Sequence, residues 1–151
     1  MTEKDTKRRR AGCLEEDVFV SLWRTADLLA RSVEKVLKSA DVSPTQYNVL
    51  RILRGAPEGL TCSEIGRRMI TRDPDITRLL DRLEKRGLIA RCRETKDRRQ
   101  VQTRIRPEGL RLLADLDEPV TETHRQQLGH LGREGLQSLQ SLLNEAQQGI
   151  E

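Results

Sequence analysis

Apolar residues recur every three or four positions through most of this chain, and this spacing predicts a mainly helical protein. A long first helix is predicted from Leu14 to about Ala40. Its apolar stripe is wider than a single core face requires, which favours two packing partners, one of them a second subunit. A last helix, from about Arg133 to Gln148, carries an equally strong leucine stripe.

Two of the shorter helices have clear start signals. Ser43 precedes Pro44 and Gln46, and Thr61 precedes Glu64; each pair has the spacing of a capping box, in which side chain and backbone bond reciprocally. The first helix of the two ends at the segment 55–59, which is rich in glycine and proline. The second is short, and the pattern places three apolar side chains inward: Ile65, Met69 and Ile70.

A further helix follows after a break of three or four residues, the arrangement of a helix-turn-helix. Asp73 is the expected cap with Pro74 at the first helical position, which predicts a helix from Pro74 to Arg86 that Gly87 stops. Its inward stripe is Ile76, Leu79, Leu80 and Leu83. At 100° per residue, the opposite side carries mostly charged residues: Arg78, Asp81, Arg82 and Lys85.

A hairpin with a basic tip is predicted next, from two strands over 88–94 and 100–106. In the first strand Ala90 and Cys92 alternate with Arg91 and Arg93. In the second, the inward positions are Val101, Thr103 and Ile105. Pro107 then starts another helix, which either continues past Pro119 or kinks there. Its expected inward residues are Leu110, Leu113, Leu116 and Val120.

These elements predict a mainly α fold with a small β-wing. A winged helix-turn-helix spans about 43–106 within a single domain over 13–151, and residues 1–12 form a disordered basic tail. The helices over about 14–40 and 107–148 lie outside the winged helix and have little else in the chain to bury against. They are therefore expected to form a homodimer.

The charged residues are unevenly distributed along the chain, and their distribution indicates a possible partner for the winged helix. Residues 61–106 hold 14 Lys and Arg against 7 Asp and Glu, whereas residues 107–151 hold 3 against 8. A basic winged helix is what binding to DNA phosphates requires, although a solvated basic face would have the same composition. Hydrophobic residues make up only 35% of the chain, which is low for a compact monomer and ordinary for a helical dimer.

Other classes of protein are disfavoured. No apolar run is long enough for a membrane span and no signal peptide precedes the first helix, so a cytoplasmic location is expected. The three cysteines are scattered without zinc spacing, and the two histidines are six residues apart, which suits neither a metal pair nor a catalytic dyad. An enzyme is not expected, nor is any metal or cofactor.

Three spaced motifs carry a resemblance to the MarR family of bacterial transcription regulators. They lie at 60–66 (LTCSEIG), at 77–89 (TRLLDRLEKRGLI) and at 97–101 (DRRQV), the last followed by Ile105 and Gly109. The resemblance covers about residues 14–148. The sequence departs from it at Arg106, where the family usually has threonine, and at 73–75, where many members have small hydroxyl residues.

The resemblance implies a homodimeric repressor that binds a pseudo-palindromic operator in double-stranded DNA. Each subunit would lay the helix from Pro74 to Arg86 in a major groove, where residues near its start read bases. Those residues are Arg72, Asp75, Thr77 and Arg78, while Arg82 and Lys85 would contact phosphates. Salt bridges to neighbouring aspartates are the alternative role for Arg72 and Arg78.

The resemblance also gives roles to the wing. Its basic tip, which includes Lys96, would approach the minor groove, where Arg98 or Arg99 inserts. An aspartate at the position of Asp97 braces a nearby arginine in the family. Which of the two arginines probes the groove stays open from the sequence.

Regulation by a small-molecule effector is a further implication, because the family's effectors are small anions, phenolics or drugs. Phe19, Trp23 and Tyr47 would line the pocket, and the competing interpretation is that they are simply core residues. A thiol-based redox sensor of the same family is an alternative, with Cys13 as the candidate. A winged helix that binds another protein is a second alternative, and the basic recognition face argues against it.

Overall fold

The computed structural model describes residues 12–93 and 100–150, and its elements follow the predicted order. The described part contains six α-helices, one short 3₁₀ turn and a two-stranded antiparallel sheet, which confirms the mainly α fold with a small wing. The helices are α1 Leu14–Lys38, α2 Pro44–Arg54, α3 Cys62–Arg68, α4 Ile76–Lys85, α5 Pro107–Leu128 and α6 Gly132–Gln148. The strands are β1 Ile89–Arg93 and β2 Val101–Ile105, and the turn is Gly129–Leu131.

Both predicted capping boxes are present, and they fix where α2 and α3 begin. The backbone N–H of Gln46 donates to Ser43 Oγ at 3.1 Å, and Ser43 N–H donates to Gln46 Oε1 at 3.1 Å. Thr61 N–H donates to Glu64 Oε2 at 2.7 Å, while Glu64 N–H returns a bond of 3.3 Å to Thr61 Oγ1. Each box satisfies two donors that a helix start would otherwise leave unpaired.

Gly87 ends the helix-turn-helix, as predicted, in the left-handed conformation with φ +72°. Gly87 N–H donates to Glu84 O at 2.9 Å, and Leu88 N–H donates to Leu83 O at 3.1 Å. This pair of bonds is a Schellman motif, which closes a helix and redirects the chain within two residues. The chain therefore passes from α4 directly into the first strand of the wing.

The wing has a third partner at its base. Backbone bonds join Leu60 to Thr103 in both directions, at 3.0 and 2.8 Å, and Arg104 Nε donates to Glu58 O at 2.8 Å. Gly59, with φ +95°, allows this approach, since a Cβ there would lie 2.9 Å from Arg104 Cγ. The loop between α2 and α3 thus anchors β2 to the helical core.

The core lies between the second half of α1, helices α2 to α5 and the base of the wing. Its largest fully buried side chains come from all of these elements, and Thr103 is the buried polar residue among them. Helix α5 approaches the wing closely, because a Cβ on Gly109 would lie 2.5 Å from Leu88 O. The largest fully buried apolar side chains include Leu37, Leu50, Leu53, Ile65, Leu80, Leu83, Ile89 and Leu113.

Three predicted inward residues are exposed. Ile70 is 86% exposed because α3 ends at Arg68 and Met69 is extended, so the helical spacing no longer applies. Leu110 is 42% exposed, since Gly109 takes the inward position where α5 meets the wing. Val101 is also exposed, because it lies at the outer end of β2, beyond the core.

The terminal helices leave much apolar surface uncovered within the chain. Every described residue of α1 up to Leu28 is exposed, and α6 contains no buried residue. Helix α5 continues through Pro119 without ending, and Thr123 Oγ1 donates to Pro119 O at 2.9 Å. None of the helices in the described part combines the length and apolar character needed to cross a lipid bilayer.

Candidate nucleic-acid interface

Helix α4 has one face fixed in the core and one face in solvent. Leu79, Leu80 and Leu83 are buried, and Ile76 packs against them from a half-buried position. This is the stripe predicted from the sequence. Because the stripe fixes the rotation of the helix, the side chains on its other side must point away from the protein. Arg72, Thr77, Arg78, Arg82 and Lys85 are all exposed there or just before the helix.

The start of α4 differs from the prediction, because Asp75 is the cap in place of Asp73. Asp75 Oδ1 accepts from Arg78 N–H at 3.2 Å, and the helix begins at Ile76. Asp73 Oδ1 accepts from Asp75 N–H at 2.8 Å, so the Asp73 carboxylate closes a turn just before the helix begins. Pro74 therefore lies outside the helix, which spans Ile76–Lys85 and not Pro74 to Arg86.

The Asp75 carboxylate also faces Arg78. Arg78 Nε lies 3.9 Å from Asp75 Oδ2, and the two side chains are 71% and 58% exposed. Ion pairs this long and this exposed contribute little stability. The Arg78 guanidinium therefore lies near Asp75 and keeps its donors available to another molecule.

Arg91 joins the first wing strand to α4, and this role was not apparent in the sequence. Arg91 Nη2 donates to Glu84 Oε2 at 2.6 Å and also to Asp81 Oδ1, while its backbone N–H donates to Glu84 Oε1 at 3.2 Å. The alternation of apolar and charged residues in β1 does not turn Arg91 to solvent, since Arg91 is half-buried and Cys92 is exposed. The available signal was the acidic pair Asp81 and Glu84, one helical turn apart on α4.

The pKa shifts of this cluster, which we call the Arg91 latch, follow from its hydrogen bonds. The side-chain bond from Arg91 lowers the pKa of the Glu84 carboxyl below its ordinary value, although partial burial opposes this. The same bond raises the pKa of Arg91. Arg91 offsets one of the two negative charges of Asp81 and Glu84, and the exposed cations of α4, Arg78, Arg82 and Lys85, outnumber the charge that remains.

A second arginine, at the C-terminal end of α4, joins this helix to the turn after α1. The Arg86 guanidinium donates to the backbone oxygens of Asp41 and Ala40, where α1 has ended. Asp41 has φ +53°, so the chain turns sharply at this point before α2. Together with the Arg91 latch, this contact fixes α4 at both its wing side and its C-terminal end.

The wing itself is a regular hairpin over its described residues. Ile89 pairs with Ile105 at the base and Arg93 pairs with Val101 at the outer end. Both Arg93 and Arg104 are exposed cations on this hairpin. The tip residues assigned to the minor groove lie outside the described residues: Lys96, Asp97, Arg98 and Arg99.

The three aromatic residues expected in one pocket occupy two places. Phe19 and Trp23 form an edge-to-face pair on the exposed first half of α1, with ring centroids 5.5 Å apart. Tyr47 is buried on α2, where it belongs to the core. The structure of one chain therefore does not bring Tyr47 together with the other two.

Tyr47 does line a cavity of about 440 Å³ between α1, α2, α5 and the helix-turn-helix turn. The Arg51 guanidinium lies over the Tyr47 ring, with Cζ 5.8 Å from the centroid. Burial raises the pKa of the Tyr47 hydroxyl, so this group is a neutral hydrogen-bonding partner near pH 7. Apolar residues dominate the remaining wall: Leu29, Ala30, Val33, Leu37, Ile70, Val120 and Leu128, with His124 at one side.

The cysteines are dispersed in the structure as they are in the sequence. Cys13 is exposed at the start of α1, Cys62 is half-buried in α3 and Cys92 is exposed on β1. Three acidic residues occupy the first turn of α1 beside Cys13. Among the described residues, no group of three or more metal-ligating side chains comes together.

The sequence of this chain is similar to those of known transcription regulators. A sequence model of the MarR family matches residues 42–101. The HTH-type transcriptional regulator FarR of Neisseria gonorrhoeae is 29% identical over 129 residues, covering 85% of this chain and 87% of FarR. The HTH-type transcriptional repressor MdtR of Bacillus subtilis is 33% identical over 101 residues, covering 67% of this chain and 64% of MdtR.

Solved structures agree with these relatives. A MarR transcription factor from Planctomyces limnophilus is 40% identical, with a TM-score of 0.68 over 89% of this chain and 98% of that one. A mutant MarR from E. coli, solved in complex with operator DNA, has a TM-score of 0.79 at 21% identity, over 86% of this chain and 93% of that one. At 21% identity, the similarity to the E. coli protein shows a shared fold only.

Proposed function

This chain belongs to the MarR family of DNA-binding transcription regulators, and from that premise we propose that it is a homodimeric repressor released from its operator by a small ligand. Within the proposal, each subunit places α4 in a major groove of double-stranded DNA and its wing beside the adjacent minor groove. One of the relatives above is named as a repressor, which is the basis for proposing repression.

One observation carries the DNA-binding part of the proposal. The leucine stripe of α4 is buried, and the arginines and lysine of the opposite side are exposed together. A helix that is anchored on one face and cationic on the other presents a rigid edge that fits a major groove. The stretch 61–106, with its excess of seven positive charges, supports phosphate contact around that edge.

We assign different tasks to the exposed side chains. Thr77 and Arg78 lie at the start of α4, where recognition helices contact base edges, and Arg72 lies just before it. Asp75, 3.9 Å from Arg78, would accept from a base or from Arg78. Arg82 and Lys85 are farther along the helix and would contact phosphates. Lys96, Arg98 and Arg99 would contact DNA from the wing tip with Asp97 as a brace, as the family resemblance implies.

Dimerisation is proposed from the exposed apolar surface. Leu14, Phe19 and Trp23 on α1 are more than half exposed, and so is Leu142 on α6. Contiguous apolar surface of this kind indicates a protein interface, and a second copy of the chain offers a matching pair of faces. Two copies would also place two α4 helices on one DNA molecule, which a pseudo-palindromic operator requires.

The effector is proposed to bind in the cavity beside Tyr47. Its walls are mostly apolar, while Arg51, His124 and the Tyr47 hydroxyl supply polar groups at the edge. A small amphipathic anion, such as an aromatic carboxylate, matches that combination. Phe19 and Trp23 are assigned to the dimer surface and not to this cavity, because they lie on a separate part of α1.

Selection of bound duplexes from a random DNA library tests the proposed function. We expect the full-length protein to enrich a pseudo-palindromic sequence, and a footprint on that sequence should protect two half-sites about one helical turn apart. Affinity for the selected duplex should fall steeply as salt is raised, because phosphate contacts release counterions. Failure to enrich any sequence, or a flat response to salt, would contradict DNA recognition by α4.

A further inference from the structure

The amide of Asn48 lies between the cavity and the helix-turn-helix turn. Asn48 is half-buried on α2 and lines the cavity with its neighbour Tyr47. Its Oδ1 accepts a hydrogen bond of 2.9 Å from the backbone N–H of Ile70, on the segment that joins α3 to α4. Within the described residues, no hydrogen bond uses the NH2 of this amide.

The segment is held in the core at Met69, which is buried, and it leaves the helix immediately afterwards. Helix α3 ends at Arg68, and Met69 adopts an extended conformation with ψ 140°. The N–H of Ile70 therefore lies outside the helical bonds, and the Asn48 side chain supplies its partner. Ile70 and Thr71 both line the cavity, and Arg72, a proposed DNA contact, follows immediately.

We propose that Asn48 is the positioning residue that couples occupancy of the cavity to the DNA-reading end of α4. When the cavity is empty, the hydrogen bond that Ile70 N–H donates to Asn48 Oδ1 holds Ile70 and so fixes the path of the segment into α4. A ligand that fills the cavity contacts Ile70 and Thr71 and breaks this bond, by displacement or by competing for the amide. Arg72 and the start of α4 then lose their fixed position, and affinity for DNA falls.

Losing the hydrogen bond between Asn48 and Ile70 changes DNA affinity by enough to regulate binding. A single hydrogen bond of ordinary net strength changes an equilibrium by about two- to tenfold. Binding to a pseudo-palindromic operator would involve two subunits, so the loss is multiplied when both segments move. The combined change reaches the range of about five- to 150-fold that is common for coupled sites. The inference rests on the proposed function, since it presupposes that α4 reads DNA.

The test fills the cavity covalently, so that no natural ligand has to be known. Cys13→Ser, Cys62→Ala and Cys92→Ser remove the native thiols, and Ala30→Cys places one thiol on the exposed part of the cavity wall. Benzyl methanethiosulfonate then attaches a group that occupies the cavity. Methyl methanethiosulfonate attaches a much smaller group at the same sulfur and is the matched control.

The measured quantity is the ratio of Kd for the selected duplex with and without each label. With Asn48 present, the benzyl label should weaken binding by about tenfold and the methyl label by less than about twofold. In the Asn48→Ala protein the benzyl label should change the Kd by less than about twofold, because the bond it breaks is already absent. Asn48→Asp keeps an acceptor for Ile70 N–H and should restore most of the benzyl effect.

Each other outcome has a distinct meaning. Equal weakening by the benzyl label in the Asn48 and Asn48→Ala proteins would overturn the role of Asn48 while leaving DNA recognition intact. No weakening in either protein would overturn the coupling of this cavity to DNA binding. If the unlabelled protein selects no duplex at all, the proposed function fails first and the inference falls with it. Should Asn48→Ala not fold, an unaltered benzyl effect in a folded Asn48→Leu protein would also overturn it.

Discussion

Helices α4 and α6 carry the same kind of leucine stripe, yet the chain buries only one of them. Leu80 and Leu83 of α4 are 1% and 0% exposed, whereas Leu136 and Leu142 of α6 are 36% and 64% exposed. Helix α4 is surrounded by α3, the wing and the core, and two arginines hold it in place. Helix α6 follows the short turn at Gly129–Leu131 and reaches beyond that core.

The difference shows what hydrophobic periodicity predicts and what it leaves open. The spacing of leucines predicts a helix and the face that will be covered, but it is silent on which molecule covers that face. In α4 the leucine stripe is covered by the rest of this chain. The opposite face therefore has a fixed orientation and is available to a ligand. In α6 the proposed cover is a second copy of the chain, and under that proposal the stripe serves assembly and not the folding of one subunit.

The largest effect should come from the buried stripe of α4. Leu83→Ala removes a fully buried side chain, and we expect a loss of about 2–5 kcal/mol in the free energy of unfolding. Chemical denaturation followed by circular dichroism measures it. Arg82→Ala, at the neighbouring exposed position, is the control and should change stability by less than about 0.5 kcal/mol. Similar losses for both variants would refute the assigned rotation of α4.

The stripe of α6 should respond differently to substitution. Leu142→Glu introduces a charge into the proposed subunit interface, and we expect the dimer Kd to rise by about tenfold or more, because burying an unpaired carboxylate is unfavourable. Sedimentation velocity across a dilution series measures it. Ser141→Glu adds the same charge on the opposite side of α6 and should leave association unchanged. Dimers of equal strength in both variants would exclude this face of α6 as the interface.

The outer face of α4 should affect DNA binding without affecting the core. Arg78→Ala is expected to weaken binding to the selected duplex and to relax discrimination at one base pair by about 1–3 kcal/mol. Titrations against duplexes substituted at each position measure the loss of affinity and the loss of discrimination. Arg111→Ala removes an equal charge from an exposed site on α5 and is the control. Uniform weakening across all duplexes would make Arg78 a phosphate contact and not a base contact.

The smallest effect concerns how the polar side of α4 is attached to the wing. The folded state lowers the pKa of Glu84, so the Arg91 latch stabilises the fold above the ordinary pKa of glutamate and loses this contribution as the pH falls through the lowered value. The latch is partly exposed, so its contribution should be below about 1 kcal/mol.

Urea unfolding between pH 7 and pH 3 measures this contribution. Glu84→Gln should be less stable than the parent at pH 7, and the difference should shrink in acid. A gap between parent and Glu84→Gln that widens in acid would reverse the assigned sign.

Much of the fold could be predicted because its signals are local. The capping boxes at Ser43 and Thr61 and the helix end at Gly87 depend on residues within five positions of each other. The cap of α4 was misplaced because Asp73 and Asp75 are both good caps, and the turn that Asp73 closes decides between them. Ile70 and Leu110 were misplaced because a broken helix and a close approach at Gly109 depend on packing between elements.

The candidate site was predictable only in part. The buried stripe identified the outward residues of α4 from sequence alone, since the helix period fixes opposite faces. The link from Arg91 to Glu84 was missed because strand alternation assigns a side chain to a face but not to a partner. The role of Asn48 depends on a contact across 22 residues of sequence, which local patterns do not encode.

The exposed position of Trp23 has a practical consequence. It is the only tryptophan of the chain and is 67% exposed on the first half of α1. Its indole fluorescence is therefore a built-in reporter of whether a second subunit covers that surface. Emission should lie at longer wavelength in dilute protein, where water surrounds the ring, and move to shorter wavelength as concentration brings two chains together. The assembly state could then be followed optically in unlabelled protein, while DNA is bound and released.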